Sequence, residues 1–136
     1  SMGKTIGGGD LDLILAGALL HDIGKLREIS AGLGFPYTTE GRLMGHISMG
    51  AMLISRIAEN IPDLSRIRLD ELLHIILSHH GDHEKGSPVF CATKEAFIVH
   101  YADETDAVLN QFQTDGKETW AFNKMLQRFL AVNPLE

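Results

Sequence analysis

Apolar residues recur at the three- and four-residue spacing of amphipathic helices along most of the chain. This pattern predicts five helices, over approximately residues 10–25, 43–60, 70–80, 94–112 and 118–131. Segments rich in glycine, proline and polar residues separate them, and no pair of segments alternates convincingly enough to predict a sheet. We therefore predict an all-α fold, a bundle of about five or six helices, in one domain over residues 10–136.

Length and composition fit this picture. A chain of 136 residues is long enough for one substantial core. Residues 1–9 are expected to be a disordered leader or a cloning remnant, since they carry no signal-peptide pattern. No apolar stretch reaches the length of a membrane span, so no membrane partner is expected. Cys91 is the single cysteine, which permits no internal disulfide and fits a cytoplasmic location.

The formal net charge of −6 changes the expected class of partner. It argues against a broad basic surface for nucleic acid on this chain. Nucleic acid as a substrate stays open, because a metal ion can neutralise a phosphate locally. The chain must then bring metal ligands together.

Histidine and aspartate side chains interrupt several of the apolar helical faces. The adjacent pair at 21–22 ends the apolar face of the first predicted helix, and the others follow the inward faces of later helices. Each alone is more often a hydrogen-bonded core residue, a cap or an ion-pair partner. Together they are costly to bury unless they converge, and mixed imidazole and carboxylate ligands are typical of a catalytic metal site. The set comprises His21, Asp22, His46, His79, His80 and Asp103.

Several segments carry a resemblance to a known family. They are Leu-Leu-His-Asp-Ile-Gly-Lys at 19–25, Glu-Gly-Arg-Leu-Met-Gly-His-Ile at 40–47, Leu-Ser-His-His-Gly at 77–81, Gly-Ser-Pro at 86–88 and His-Tyr-Ala-Asp at 100–103. The chain resembles the HD superfamily of metal-dependent phosphohydrolases, and more narrowly the catalytic domain of the YhaM-type 3′→5′ exoribonucleases. The resemblance implies an HD-domain helical bundle and hydrolysis of a phosphate ester by a metal-activated water.

The resemblance also implies a role for each matching residue. One divalent metal is expected on His21, Asp22 and Asp103. A second is expected on His46, His79 and His80, with Asp22 bridging the two. Lys25 is expected to face the substrate phosphate, although a solvated lysine at a helix end is the alternative. One or two ions of Mn, Fe or Mg are expected, with Ni, Co or Zn as alternatives in purified protein.

Further residues border the site in this interpretation. Arg42, Glu84 and Ser87 lie in segments that could contact substrate, although surface solvation is the favoured reading of Arg42. His100 lies three residues before Asp103 and is expected to support it through a hydrogen bond. Asp106 lies three residues beyond Asp103 and is expected to accept a hydrogen bond from Lys25 or from a ligand.

The chain also departs from the family pattern. Sites of this family usually include a further histidine on a helix before the His-Asp pair, and no histidine precedes His21. We therefore expect a fragment that lacks the upstream helix, and a first metal that lacks one ligand. The exoribonuclease resemblance implies an upstream OB-type domain as a partner in the full-length protein. A homo-oligomer is left open.

Three classes of function stay in consideration. The first is 3′→5′ exonuclease-like hydrolysis of single-stranded RNA or DNA. The second is an HD phosphohydrolase acting on nucleotides or cyclic dinucleotides, and the third is a non-catalytic metal-binding interaction domain. A basic or aromatic groove leading to the metals favours the first, and a closed nucleoside pocket favours the second.

Overall fold

Helices form most of the regular structure in the computed structural model, which describes residues 5–135. The helices are α1 (Leu11–Leu20), α2 (Lys25–Glu28), α3 (Thr39–Ala58), α4 (Arg66–Ser78) and α5 (Lys94–Asn110). The predicted helical fold class is confirmed, although α2 is a single turn and the described part of the chain contains fewer long helices than expected. None of the helices in residues 5–135 is long and apolar enough to cross a membrane.

Part of the leader expected over residues 1–9 is ordered. Strand β1 (Thr5–Ile6) pairs antiparallel with β2 (Gly9–Asp10), immediately before α1. Residues 1–4 lie outside the described residues, and the division between leader and domain stays a prediction.

Side-chain caps fix where three of the helices begin. The Asp10 carboxylate accepts a hydrogen bond from the Leu13 amide at 3.1 Å, and the Ser65 hydroxyl accepts one from the Arg68 amide at 3.3 Å. The Thr38 hydroxyl accepts one from the Gly41 amide at 2.9 Å. Such caps satisfy amide groups that have no partner inside the helix. They start α3 and α4 about four residues earlier than the apolar pattern predicted.

The first predicted helix is interrupted where the candidate ligands begin. α1 ends at Leu20, a turn covers residues 21–24, and α2 follows, whereas a continuous helix to Lys25 was predicted. Helix α3 is interrupted as well, because Gly45 has φ 70° and ψ 157°. Glycine adopts this positive φ without a side-chain penalty. His46 therefore leaves the helical path set by the first turn of α3.

Two compact units divide the chain within α5, at Tyr101 and Ala102. The core of the first unit packs α1 against α4 and the beginning of α5. Its buried members are Leu13, Ile14, Ile75, Ala96 and Val99.

The predicted fifth helix is wrong, and the second unit shows a different structure there. Residues 118–131 form a β-hairpin of β3 (Trp120–Asn123) and β4 (Arg128–Ala131) instead of a helix. Phe122 and Phe129 pair across its strands with ring centroids 5.3 Å apart, and Leu130 is buried. The Asn123 side chain accepts a hydrogen bond from the Leu126 amide at 2.8 Å, which stabilises the turn.

Candidate metal centre

Four histidines and one aspartate meet where several helices end. His21 caps the end of α1 and Asp22 follows it in the turn. His46 follows the interruption at Gly45, and His79 caps the end of α4, with His80 next in the chain. Chain segments that leave their helices bring these side chains together.

The side chains form two groups that could each hold a metal ion. His46, His79 and His80 make one group, and His21, Asp22 and His79 make the other. The Asp22 Oδ1 atom lies 3.5 Å from His46 Nε2 and 3.7 Å from His79 Nε2. The Asp22 Oδ2 atom lies 3.5 Å from His21 Nε2. Asp22 thus faces both groups, as a bridging residue would.

Hydrogen bonds on the far side of three imidazoles direct their Nε2 atoms inward. The Nδ1 atoms of His21, His79 and His80 lie 2.7–2.8 Å from the backbone carbonyls of Ala18, Ile76 and Lys85. A carbonyl only accepts, so each Nδ1 carries the proton and donates it. Each Nε2 then presents a lone pair, which is the form that binds a metal.

Three buried atoms at the centre have no hydrogen-bond partner among the described residues: Asp22 Oδ1, His46 Nε2 and His79 Nε2. Buried polar atoms without a partner are costly, so an arrangement that collects three of them needs an explanation. Ligands held at about 2.0–2.2 Å from one ion lie roughly 3–3.5 Å apart, close to the spacing of these atoms. The residues therefore fit a divalent metal.

The charges at the centre suit a cation. Burial acts to raise the pKa of Asp22, but the Lys25 ammonium group, which donates a hydrogen bond to Oδ2, outweighs it and holds the pKa of Asp22 well below its usual range. Burial lowers the pKa of His80, and the neighbouring His79 and His46 act in the same direction. An ionised carboxylate and a neutral imidazole are the forms that ligate metals.

Lys25 lies beside the centre at the start of α2. Its Nζ atom donates a hydrogen bond to Asp22 Oδ2 at 2.7 Å, and its side chain is 47% exposed. The lysine thus reaches solvent while it holds the aspartate, and its expected contact with a substrate phosphate stays a prediction.

The predicted residues around Asp103 have other contacts or belong to the second unit. Asp103 is half-buried on α5 within that unit, and its place in the centre stays a prediction. The His100 ring donates from Nδ1 to the backbone carbonyl of His79 at 2.7 Å, so it holds the chain at a candidate ligand. Its support of Asp103 stays a prediction. Asp106 accepts a hydrogen bond from the Asn110 side chain at 3.2 Å, and its expected hydrogen bond with Lys25 or a ligand stays a prediction.

The three residues expected to bind substrate differ in exposure. Arg42 and Glu84 are exposed, and the Arg42 guanidinium lies 5.6 Å from the centroid of the Tyr37 ring. Ser87 is only 1% exposed, and its hydroxyl accepts a hydrogen bond from the His80 amide at 3.0 Å. This contact favours a role in holding His80 over direct contact with substrate.

One residue near the centre was not predicted from the sequence. Glu28 is 7% exposed at the end of α2, and its carboxylate faces His46. It lies between the first two predicted helices and outside the quoted segments, so no sequence pattern singled it out.

A cleft opens beside the group of three histidines. Its volume is about 300 Å³, and His46 and His80 contribute to its wall. Met44, Ile47 and Pro88 supply apolar surface, and Lys85 supplies a cation. A partly apolar cleft beside candidate ligands is a common form of substrate site.

Comparison with known proteins places the chain in a family. The family model of the HD domain matches residues 1–108. The 3′-5′ exoribonuclease YhaM of Bacillus subtilis (strain 168) is 46% identical over 104 residues, which cover 74% of this chain and 32% of that protein. The YhaM proteins of Bacillus velezensis and Bacillus pumilus are 46% and 45% identical, over 72% and 74% of this chain and 31% and 32% of theirs.

The chain thus spans about a third of the length of these curated relatives. No solved structure gives a significant match. The four histidines and Asp22 at the meeting point of the helices lie within the residues that the family model matches, and so does Asp103. The chain belongs to the HD domain family.

Proposed function

We propose that this chain is the metal-dependent phosphodiesterase domain of a protein that hydrolyses single-stranded nucleic acid from its 3′ end. HD family membership and the exoribonuclease relatives support its coarser part, a metal-dependent phosphohydrolase. The observation that carries the proposal is the convergence of Asp22 Oδ1, His46 Nε2 and His79 Nε2 as buried atoms without hydrogen-bond partners in the described chain.

The proposed ligands are His46, His79 and His80 for one ion and His21, Asp22 and His79 for the other. Asp103 is proposed as a further ligand on the family resemblance alone. When bound, a divalent metal supplies a water nucleophile near neutral pH and neutralises charge on the phosphate.

The chain's own residues orient the substrate in this proposal. Lys25 is placed to balance the negative charge of a phosphate, because its ammonium group lies at the solvent side of Asp22. The cleft bordered by Met44, Ile47 and Pro88 is proposed to take the sugar and base next to the scissile phosphate. Its 300 Å³ volume is at the small end of ligand pockets, which suits one nucleotide better than a folded partner.

An assay of metal-dependent hydrolysis tests this function. The substrates are 5′-labelled single-stranded RNA, single-stranded DNA and bis(p-nitrophenyl) phosphate, each with Mn²⁺ or with a chelator. We expect Mn²⁺-dependent shortening of RNA from the 3′ end, and loss of that activity in His79→Ala and in Asp103→Ala. His74→Gln, which removes an imidazole outside both groups, should retain it.

Two outcomes contradict the proposal in different ways. Full activity in both His79→Ala and Asp103→Ala contradicts the metal mechanism. Hydrolysis of nucleotides or cyclic dinucleotides without any shortening of RNA favours the second function class.

A further inference from the structure

We infer that Glu28 is a positioning residue that fixes the tautomer of His46, so that the His46 Nε2 lone pair faces the metal centre. The inference rests on the proposed metal centre but not on the identity of the substrate. His46 differs from the other three histidines, because its Nδ1 atom faces a carboxylate and theirs face backbone carbonyls.

The Glu28 carboxylate contacts His46 at two points. Oε1 accepts a hydrogen bond from the His46 backbone amide at 3.1 Å, and Oε2 lies 3.3 Å from His46 Nδ1. A carboxylate has only acceptors to offer. The contact with Nδ1 is therefore favourable only when Nδ1 carries the proton, which leaves Nε2 unprotonated. That Nε2 is one of the buried atoms without a hydrogen-bond partner in the described chain.

Backbone contacts hold Glu28 in place for this role. Its carbonyl accepts a hydrogen bond from the Thr38 amide at 2.8 Å. The first turn of α3 packs directly on it, since a Cβ atom built on Gly41 would lie 2.6 Å from the Glu28 carbonyl oxygen. Gly24, which precedes α2, lies closer still to the backbone of His46, since a Cβ atom built there would lie 1.9 Å from the His46 carbonyl oxygen. Thus α2 contacts the His46 segment at both of its ends.

Glutamine cannot replace this carboxylate. The two donors of His46 need two acceptor oxygens, and an amide supplies one oxygen and one NH₂ group. In Glu28→Gln the NH₂ group must face either the backbone amide or Nδ1. If it faces Nδ1, the imidazole proton moves to Nε2 and the atom is lost as a ligand. Substituting the hydrogen-bond partner of a metal ligand commonly lowers metal affinity by about 10–100-fold.

The test combines imidazole NMR with Co²⁺ binding. Two-bond nitrogen–proton correlations in the metal-free wild-type protein should show His46 protonated at Nδ1, with the signals assigned by their loss in His46→Gln. Glu28→Gln should show the proton at Nε2, or bind Co²⁺ about 10–100-fold more weakly in calorimetry. Glu40→Gln is the matched control, because its carboxylate pairs with Arg27 on the surface, and it should match the wild type.

The outcomes separate this inference from the proposed function. A wild-type His46 protonated at Nε2 overturns it, whether or not Glu28→Gln folds. So does a Glu28→Gln protein that binds Co²⁺ within twofold of wild type with His46 Nε2 unprotonated. Absence of RNA hydrolysis, with the expected tautomer and normal Co²⁺ binding, contradicts only the proposed function. A wild-type protein that binds no Co²⁺ overturns both.

Discussion

Asp22 faces different imidazoles with its two oxygens. Oδ1 faces His46 and His79, whereas Oδ2 faces His21 and accepts the Lys25 hydrogen bond. Asparagine at this position would keep the size of the side chain but replace one oxygen with a donor. The asparagine side chain therefore has one oxygen to act as a ligand, and it cannot face both groups of candidate ligands as Asp22 does.

We expect Asp22→Asn to lower the affinity for Mn²⁺ by at least about tenfold, the scale of losing a ligand or its orienting partner. Competition against a metal-sensitive dye measures that affinity. His74→Gln, which leaves both groups intact, should bind Mn²⁺ as the wild type does. An Asp22→Asn protein with unchanged affinity would exclude Asp22 from the centre.

His74 contributes a pH dependence of stability that is separate from the metal centre. Burial lowers the pKa of His74, and its Nε2 accepts a hydrogen bond from the Ala92 amide at 2.9 Å. The folded state thus favours neutral His74. Its stabilising contribution is complete above the unfolded-state pKa of about 6.5 and is lost as the pH falls below that value.

We expect His74→Gln to show a shallower loss of stability than wild type between pH 7 and pH 5. Glutamine can accept the Ala92 hydrogen bond without titrating. Urea unfolding with a chelator present measures the free energy of unfolding at both pH values. Identical slopes would show that His74 does not contribute to the dependence.

Five of the six candidate ligands converge as the sequence predicted, because each interrupts an apolar face that the helical period makes visible. Glu28 could not be predicted, since a buried glutamate and a solvated one look the same in a four-residue turn. The first turn of α3 approaches it closely at Gly41, and that approach arises only from tertiary packing.

At the scale of elements, the short helix α2 depends on a close backbone crossing. A Cβ atom on Gly24 would lie 1.9 Å from the His46 carbonyl oxygen and 2.8 Å from the Gly50 amide nitrogen. Backbone atoms cannot move aside as the end of a flexible side chain can. Any substitution at Gly24 must therefore displace α2 from α3, together with His46.

Gly24→Ala should destabilise the protein by about 1–3 kcal/mol or more, the usual cost of forcing extra atoms into a packed interior. It should also weaken Co²⁺ binding. Thermal unfolding and calorimetry measure the two effects. Gly32→Ala is the matched control, because a Cβ there would meet Pro36 at an ordinary 3.7 Å. Equal stability of the two variants would contradict the close backbone contact between Gly24 and His46.

The C-terminal hairpin shows where an apolar pattern misleads. Phe122, Met125, Leu126, Phe129 and Leu130 fit a helical face, but in the structure Phe122, Phe129 and Leu130 lie in the two strands, and Met125 and Leu126 lie in the turn between them. The difference lies in the turn, where the Asn123 side chain bonds the Leu126 amide and Gln127 adopts φ 51°. Such hydrogen bonds from side chains to the local backbone compete with helix formation. The residue types alone indicate them only weakly.

We expect Gln127→Gly to raise stability by roughly 0.5–1 kcal/mol, because glycine adopts a positive φ without the side-chain penalty. Lys124→Gly, in the same turn, should not stabilise, since Lys124 does not have a positive φ. Denaturant unfolding of both variants tests the turn. Stabilisation by both, or by neither, would contradict this account.

At the scale of the whole molecule, the candidate ligands couple metal binding to folding. They come from three separate stretches of the sequence, residues 21–22, 46 and 79–80, and only the folded chain holds them together. A ligand that binds only the folded state stabilises it, by about 2.7 kcal/mol at one hundred times its dissociation constant.

We therefore expect Mn²⁺ or Co²⁺ to raise the unfolding temperature, and a chelator to reverse the rise. His79→Ala, which removes a member of both groups, should abolish the rise, while His74→Gln should retain it. Differential scanning calorimetry with and without metal measures the shift. An equal rise in His79→Ala would place the stabilising ion elsewhere.

The position of His79 links the metal to the end of α4. Its Nδ1 donates to the Ile76 carbonyl within the last turn, while its own carbonyl accepts from His100. An ion that fixes the ring must also fix that turn against fraying. We therefore expect bound metal to slow amide hydrogen exchange at the last turn of α4, relative to the metal-free protein, and to change exchange little at the first turn of α4.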